Sequence, residues 1–441
     1  MIMIRSGSNA ASLPCSIASS SSTEVKQNKA LYVLFVSIFL FPNLVTPFNL
    51  GNRIITLSEI IIFSIILTML PGLKIRLKDF LLLLVFVFVG LISVAISIEP
   101  SESFKSFLSL VFFSVFTFTM VQTARSKPYF VNLFLNAFLS AVFILAVYGI
   151  FQAISAHLFG PLDKVIYPFG IFTWHTQSQL LINWRANSLY YEPNIFGMVS
   201  VFGLMLNLYL RNRSIYWNAI VLIGIILSFA TTTYFMLLIS LVLQLLIGKR
   251  KFKSMDNRKF FLVTILVFFS ILAPFTDLGV AGIFKNIPVL NRISELSVPG
   301  TSGYYRITAP ISSIPYMLSH YPLGIGIGTI DLFLDEAPSE ISGFFVKGHS
   351  SYGKTIDNII LGWIFSFGLF SLLFLWLFFN ILRKTITQVS VGLPISMLIF
   401  CWGTGSFLFF EFWSFLIILI FLNLPFAGSG RGLLGIENLH A

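Results

Sequence analysis

Charged residues and cysteines are scarce in this sequence, and each shortage excludes a class of protein. Only 10% of the 441 residues are charged, while 56% are hydrophobic and the mean hydropathy is +0.90. A soluble globular protein does not have this composition, so the chain is an integral membrane protein. Its two cysteines, Cys15 and Cys401, fall in a polar tail and in an apolar run, so no disulfide framework is expected.

Long apolar runs fill most of the chain, at roughly the 17 to 25 residues that cross about 30 Å of hydrocarbon. Because backbone amides in lipid must be paired internally, the runs predict an all-α bundle of about twelve membrane-spanning helices. The predicted spans are Leu31–Val45, Ile54–Leu70, Asp79–Ile98, Phe104–Gln122, Tyr129–Ala153, Ile195–Leu210, Ile215–Thr231, Tyr234–Ile247, Phe260–Phe275, Asn358–Leu382, Val391–Phe410 and Phe412–Ala427.

Lys and Arg in the connections predict the orientation, because short cytoplasmic loops carry an excess of both. The basic connections alternate along the chain, so all of them fall on one face. They contain Lys26, Lys29, Lys74, Arg76, Lys78, Arg125, Lys127, Arg211, Arg213, Lys249, Arg250, Lys251, Lys253, Arg258, Lys259, Arg383, Lys384 and Arg431. The net charge of +11 is therefore mainly a topological signal, and no nucleic-acid partner is expected.

This topology divides the chain. Residues 30–427 form the bundle, between a disordered cytoplasmic tail at 1–29 and a cytoplasmic C-terminal tail at 428–441. Two polar segments, 155–194 and 275–357, lie outside the membrane. The prediction is a multi-pass membrane protein with both termini in the cytoplasm, whose two outer segments are periplasmic if the cell is Gram-negative.

In the first external segment, the sequence from Arg185 to Asn194 ends directly at a membrane helix. Pro193 and Asn194 are typical of the first positions of a helix, and Glu192 would lie against the positive end of its dipole. Helix capping alone could explain these three residues, Glu192, Pro193 and Asn194. Arg185 argues for more, because a guanidinium at the mouth of a bundle can hold phosphate oxygens with two hydrogen bonds.

The second external segment contains a predicted amphipathic helix over the bundle or in the membrane interface. Its apolar stripe consists of Ile307, Ile311, Ile314 and Leu318. Arg306 lies beside the stripe and need not face lipid. Its neighbours Tyr304 and Tyr305 could stack on sugars, although interfacial tyrosines are common.

A glycine-spaced turn, His320 to Thr329, follows that helix. It is not a nucleotide site, because Thr329 stands where Gly-x-Gly-x-x-Gly needs a glycine and no strand precedes the turn. The segment ends at Asp357 and Asn358, which could cap the next helix. His349 is its best candidate for a general base, since imidazole titrates near neutral pH, although most lone loop histidines have no such role.

Together these elements resemble the O-antigen ligase and O-antigen polymerase (Wzy-type) family of bacterial membrane proteins. The resemblance spans roughly Arg185 to Leu369. It rests on the order of Arg185 to Asn194, Arg306, His320 to Thr329, and Asp357-Asn358 followed by Phe367-Gly368-Leu369.

The resemblance implies a GT-C-like membrane glycosyltransferase that uses polyprenyl-diphosphate-linked sugars, without metal or nucleotide cofactor. Arg185 and Arg306 would bind the donor diphosphate and neutralise the leaving group. The residues implied at the sugar are Tyr191, Glu192, Tyr305 and His320.

The general base differs from the ligase pattern, which has histidine before the closing asparagine. Here Asp357 holds that position and His349 lies upstream, so either could be the base, or the diphosphate could leave with little help. The Asp-Asn pair is more similar to polymerases. The expected function is an O-antigen or exopolysaccharide repeat-unit polymerase with a lipid-linked acceptor and a chain-length regulator as partner. A ligase that transfers the glycan to lipid A core is the alternative.

Three other functions stay open. A metal-dependent enzyme is disfavoured because the first outer loop has no acid, although Asp331, Asp335 and Glu336 could bind a divalent cation. A transporter would use membrane acids, and the candidates are Glu59 and Glu411, but no internal repeat is evident. A sugar-binding assembly factor without catalysis is the third.

Overall fold

The computed structural model describes residues 22–42, 44–50, 53–159, 186–190, 192–210, 213–228, 230–247, 309–330, 332–333, 358–403 and 406–424. Within these ranges nearly all regular structure is α-helical, which confirms the predicted polytopic bundle. The helices are α1 Ser22–Leu40, α2 Leu57–Met69, α3 Leu77–Ala95, α4 Pro100–Ser126, α5 Tyr129–Phe159, α6 Pro193–Leu210, α7 Ile215–Leu227, α8 Thr231–Ile247, α9 Ala309–His320, α10 Ile359–Phe367, α11 Ser371–Gln388, α12 Gly392–Gly403 and α13 Phe410–Leu422.

Five helical segments in the described ranges are long and apolar enough to cross a membrane. They are α3, α4, most of α5, α6 and the stretch Ile359–Gln388. Shorter apolar helices flank them, among them α2, α7, α12 and α13. Of the predicted spans, Phe260–Phe275 lies outside the described residues.

The first outer connection forms a β-hairpin that was predicted as a loop. Strand β1, Val45–Leu50, pairs antiparallel with β2, Arg53–Thr56. The flanking helices therefore stop short of the predicted bounds at this connection, because α1 ends at Leu40 and α2 begins at Leu57. We call the end of the bundle that carries this hairpin the hairpin face. Successive helices reverse direction, so the α3–α4 and α12–α13 connections and the start of α6 also lie there.

The sequence indicated Glu59 as a candidate membrane-buried acid. In the structure Glu59 belongs instead to a helix cap at the start of α2. Its carboxylate accepts a hydrogen bond from the Thr56 amide at 2.9 Å, and its own amide donates to the Thr56 hydroxyl at 3.3 Å. This reciprocal capping box satisfies two amides that the first turn of a helix leaves without intrahelical partners.

Phenylalanine rings fill the core where the helices cross. The rings of Phe202 in α6 and Phe415 in α13 stack with centroids 4.0 Å apart, and Phe400 of α12 packs edge-on against Phe415 at 5.0 Å. Phe39 of α1 contacts Phe138 of α5 in the same edge-to-face manner at 5.1 Å. Such offset and edge-on contacts favour a single arrangement of the helices.

Polar cross-links join the helices at the face opposite the hairpin. Arg125 at the end of α4 forms an ion pair with Asp79 at the start of α3. The Gln244 carbonyl of α8 accepts hydrogen bonds from the Val391 and Gly392 amides, both at 2.9 Å, where α12 begins. The predicted cytoplasmic connections border these cross-links.

The predicted span Asn358–Leu382 is interrupted at Gly368, where φ is +52°. In an unbroken helix Trp363 and Phe378 would be about 22 Å apart along the axis. Their rings instead lie 5.5 Å apart, and Trp363 also contacts Phe374 at 6.3 Å. The chain therefore turns after α10, and α10 packs beside the first turns of α11.

The α12–α13 break also differs from the prediction, which placed it at Glu411. The break lies between Gly403 and Phe410, so Glu411 belongs to the first turn of α13.

The predicted amphipathic helix of the late segment is present as α9. Of its predicted apolar stripe, Ile314 and Leu318 pack against the buried cluster and Ile307 lies outside the described residues. The buried residues are Ala309, Pro310, Ser313 and Met317, whereas Ile311 is 44% exposed. The face is set by partners distant in sequence, since Ala309 and Met317 share a cluster with Leu361 and Phe365 of α10.

Candidate active site

The start of α6 lies on the hairpin face and contains the end of the first candidate motif, Arg185 to Asn194. Pro193 is the first helical residue, and the Phe196 amide donates to the Glu192 carbonyl at 3.2 Å. The predicted helix start is therefore confirmed. The Thr233 hydroxyl of α8 donates to the Asn194 carbonyl at 3.2 Å and so ties α8 to this helix start.

A buried turn, Ala186–Tyr190, precedes α6. Each of its five residues is at most 7% exposed. The Ala186 amide donates to the Leu227 carbonyl at the end of α7 at 2.9 Å, and the Asn187 side chain donates to the Tyr190 carbonyl at 2.7 Å. The turn is thus an integral part of the bundle, unlike a solvent-exposed loop.

Gln152 of α5 binds the centre of this turn through both atoms of its amide. Its nitrogen donates to the Ser188 carbonyl at 2.9 Å, and its oxygen accepts from the Ser188 amide at 2.7 Å. The Ser188 hydroxyl donates to the Leu145 carbonyl at 2.7 Å. Ser188 has φ +55°, a left-handed conformation that residues other than glycine seldom adopt.

Tyr190 connects the turn to α1 and α13. Its hydroxyl donates to the Phe39 carbonyl at 3.3 Å, and the carboxylate of Glu411 lies nearby. Burial, and secondarily the charge of Glu411, raises the pKa of Tyr190 well above its ordinary value. Glu411 is itself only 3% exposed, so the hairpin face holds a buried acid beneath the turn.

The glycine-spaced turn forms a second fixed structure on the hairpin face, which we call the glycine clasp, Pro322–Thr329. The Ile325 amide donates to the Phe365 carbonyl of α10 at 2.9 Å, and its carbonyl accepts from the Ile98 amide at 3.3 Å. The Ile327 amide donates to the Ser103 hydroxyl of α4 at 3.0 Å. The clasp therefore joins the α3–α4 connection to the end of α10.

Glycine is required in the clasp for both conformation and space. Gly324, Gly326 and Gly328 have φ of +98°, +101° and +73°. A Cβ on Gly324 would lie 2.4 Å from the Ser366 carbonyl oxygen, and one on Gly326 would lie 2.1 Å from the Ser97 hydroxyl. The glycine spacing thus serves close packing of two backbones, in agreement with the rejection of a nucleotide site.

His320 ends α9 beside the clasp, with an exposed side chain. Its ring stacks on Tyr316 with centroids 4.1 Å apart, and its Nδ1 lies 3.0 Å from the Tyr316 carbonyl. A histidine at a helix C-terminus can interact with free carbonyls in this way without any ligand. The predicted sugar contact of His320 stays a prediction.

Asn358 caps α10. The sequence predicted a cap from Asp357 or Asn358, at the end of the late segment. Its side-chain oxygen accepts from the Leu361 amide at 3.1 Å, and its side-chain nitrogen donates to the Trp402 carbonyl of α12 at 3.4 Å. The chain that follows residue 357 is thereby fixed to the hairpin-face end of α12.

The chain also matches known proteins. Residues 30–424 match the family model described as WcaD colanic acid polymerase. The chain belongs to the WcaD colanic acid polymerase family. Over 253 residues it is 25% identical to the "Putative colanic acid polymerase" of Escherichia coli (strain K12). That alignment covers 54% of this chain and 56% of the relative, so the chain spans little more than half the length of that relative.

Membership of the WcaD colanic acid polymerase family confirms the resemblance to Wzy-type polymerases that the motif order indicated. Glu59, one of the two acids named for a transporter, takes part in the capping box at the start of α2. The family match extends over all of the described structure except the first part of α1.

Most of the predicted site residues lie outside the described part of the chain. These are Arg185, Tyr191, Tyr305, Arg306, His349 and Asp357, together with the acids Asp331, Asp335 and Glu336. The two described members belong to different units. Glu192 directly precedes α6, which packs in the main core, whereas His320 ends α9, which packs with α10 in a second cluster.

The structure adds residues that the motif search did not select, above all Gln152, Ser188 and Glu411. Gln152 had a sequence signal, because it is a polar side chain within a long apolar run, where polar groups usually have a specific partner. The partner itself, Ser188, could not be found from local pattern, since the two residues are 36 positions apart.

Proposed function

We propose that the protein polymerises the repeat unit of an exopolysaccharide. In the proposed reaction a sugar hydroxyl of a lipid-linked acceptor attacks the anomeric carbon of a polyprenyl-diphosphate-linked glycan. A glycosidic bond forms, the bond from carbon to phosphate oxygen breaks, and the diphosphate leaves with the electron pair. The observation that carries the proposal is the match to the colanic acid polymerase family over residues 30–424. This range includes all the candidate site residues, from Arg185 to Asp357.

We assign the reaction to the hairpin face and propose that this face is external, at the inner membrane. The support is the distribution of basic residues, because Arg125, Arg213 and Arg383 all lie near helix ends of the opposite face. Cytoplasmic connections are enriched in such residues. Both termini are then cytoplasmic, and the polar segments 155–194 and 275–357 are external.

In this proposal Arg185 and Arg306 bind the donor diphosphate. Arginine suits the role because its planar guanidinium forms paired hydrogen bonds with phosphate oxygens and stays protonated. Two fixed positive charges would stabilise the negative charge that develops on the leaving group. With that charge supplied by the protein, we propose that the transfer requires neither metal nor nucleotide.

The proton of the acceptor hydroxyl is proposed to go to Asp357 or His349. We favour Asp357, because it directly precedes Asn358, whose side chain is hydrogen-bonded to both α10 and α12. Tyr191, Glu192, Tyr305 and His320 are proposed to contact the sugars. A chain-length regulator is proposed as a partner of the external face.

The proposal is tested by polysaccharide length in a strain from which the gene is deleted and then complemented. We expect Arg185→Ala and Arg306→Ala each to abolish long chains. The matched control is Arg383→Ala, which removes an exposed arginine from α11 at the opposite face and should leave chain length normal.

Membrane levels of each variant are measured by immunoblot so that loss of product is not confused with loss of protein. Normal long chains with both Arg185→Ala and Arg306→Ala would contradict the proposed donor site. For the base, Asp357→Ala should reduce polymerisation by about a hundredfold or more and His349→Ala much less. Equal mild effects would mean that neither residue is the base.

A further inference from the structure

We infer that Gln152 is a positioning residue for the proposed donor site. It acts by fixing the Ala186–Tyr190 turn, and through it the chain on either side, which carries Arg185 and Glu192. The inference rests on the proposed function.

The first support is the way Gln152 holds the turn. Its side-chain amide both donates to the carbonyl and accepts from the amide of the same residue, Ser188, at 2.9 and 2.7 Å. Gln152 is 4% exposed and Ser188 is fully buried, so both hydrogen bonds lie away from solvent. Loss of the side chain would leave two buried backbone groups without a partner, which is costly.

The second support is the conformation that is held. Ser188 has φ +55°, where its Cβ approaches the backbone unfavourably. Such a conformation persists only when surrounding contacts enforce it, and it occurs often at functional sites. The contacts here come from α5, through Gln152 and the Leu145 carbonyl, and neither belongs to the turn itself.

The third support is the location of the turn in the chain. Arg185 directly precedes Ala186, whose amide is bonded to Leu227 of α7. On the other side Glu192 directly precedes Pro193, the first residue of α6. A change of conformation at Ser188 would therefore alter how the chain continues to Arg185, a proposed diphosphate ligand, and to Glu192, a proposed sugar contact. Small displacements of positioning groups are enough to weaken binding and transfer strongly.

Gln244 provides a control for a purely structural effect. It is also a buried glutamine whose side chain holds a turn between helices, through hydrogen bonds from Ser390, Val391 and Gly392. It lies at the opposite face, far from the proposed donor site. If glutamine removal simply loosens the bundle, Gln152→Ala and Gln244→Ala should have the same effect.

The experiment measures the Kd of the purified, detergent-solubilised full chain for undecaprenyl diphosphate, together with the thermal stability of each variant. We expect Gln152→Ala to weaken binding about tenfold, and Gln244→Ala to leave the Kd unchanged even where it lowers stability.

The outcomes separate this inference from the proposed function. If the wild-type chain fails to bind the lipid, or if Arg185→Ala binds as well as wild type, the proposed donor site is wrong. If wild type binds and Arg185→Ala does not, an unchanged Kd for Gln152→Ala overturns the inference alone. An equal loss of affinity in Gln152→Ala and Gln244→Ala also overturns it, since the effect would then be a general loosening of the bundle.

Discussion

Replacing Gly324 by alanine tests the glycine clasp. At φ +98° any side chain carries a backbone penalty of about 1–3 kcal/mol. The added Cβ would lie 2.4 Å from the Ser366 carbonyl oxygen and 2.6 Å from its carbon, so the backbone at the end of α10 must move. That movement disturbs the hydrogen bonds from Ile325 to Phe365 and from the Ser93 hydroxyl to Ser366. Each lost hydrogen bond costs about 0.5–1.5 kcal/mol.

The expected loss of unfolding free energy for Gly324→Ala is therefore about 2–6 kcal/mol. Gly72→Ala is the matched control, because Gly72 also has positive φ, +86°, but its Cβ would meet nothing within 4 Å. That control should lose only the backbone penalty of about 1–3 kcal/mol. Unfolding in mixed micelles, followed by tryptophan fluorescence, measures both. Equal losses in the two variants would refute the close packing of the clasp against α10.

Two further predictions concern the acid and the tyrosine of the hairpin face. Glu59→Gln should leave polysaccharide length unchanged, because the glutamine amide oxygen can still accept a hydrogen bond from the Thr56 amide and keep the cap of α2. Loss of long chains in the complemented deletion strain would show instead that the acid itself is needed. The protein should lose stability as the pH rises above about 10, because of Tyr190. Burial raises the pKa of Tyr190 in the folded state, so the unfolded chain releases the phenolic proton at a lower pH than the folded chain does. Tyr190→Phe should reduce that alkaline slope by about 1.4 kcal/mol per pH unit, and identical slopes in denaturation series from pH 9 to 11 would contradict the burial of the hydroxyl.

Hydropathy predicted the bundle well because it depends on local composition. Spans such as Tyr129–Ala153 and Ile195–Leu210 match α5 and α6 closely, since lipid accepts little besides paired apolar helices. The capping box at Glu59 is also a local sequence feature. Its Thr-x-x-Glu signal was present in the sequence, but the apolar run around it favoured a longer helix.

Features that depend on distant partners were predicted poorly. The helix break at Gly368 is fixed by the clasp, since a Cβ there would meet the Pro322 carbonyl oxygen at 2.2 Å. The buried face of α9 is set by Leu361 and Phe365 of α10, so a stripe counted along α9 alone selected Ile311 wrongly. Of the candidate site, the helix start at Pro193 and the cap at Asn358 were predictable from residue type. The bond between Gln152 and Ser188 was not.

The most direct test of the proposed polymerase is reconstitution of the purified protein with lipid-linked repeat units extracted from the deletion strain. The expected result, in buffer containing a chelator, is a ladder of lipid-linked products in which each step adds one repeat unit and releases one polyprenyl diphosphate. Arg185→Ala and Arg306→Ala should give no ladder, whereas Arg383→Ala should give the wild-type pattern. Transfer to added lipid A core without a ladder, or no transfer by protein shown to be folded, would contradict the account.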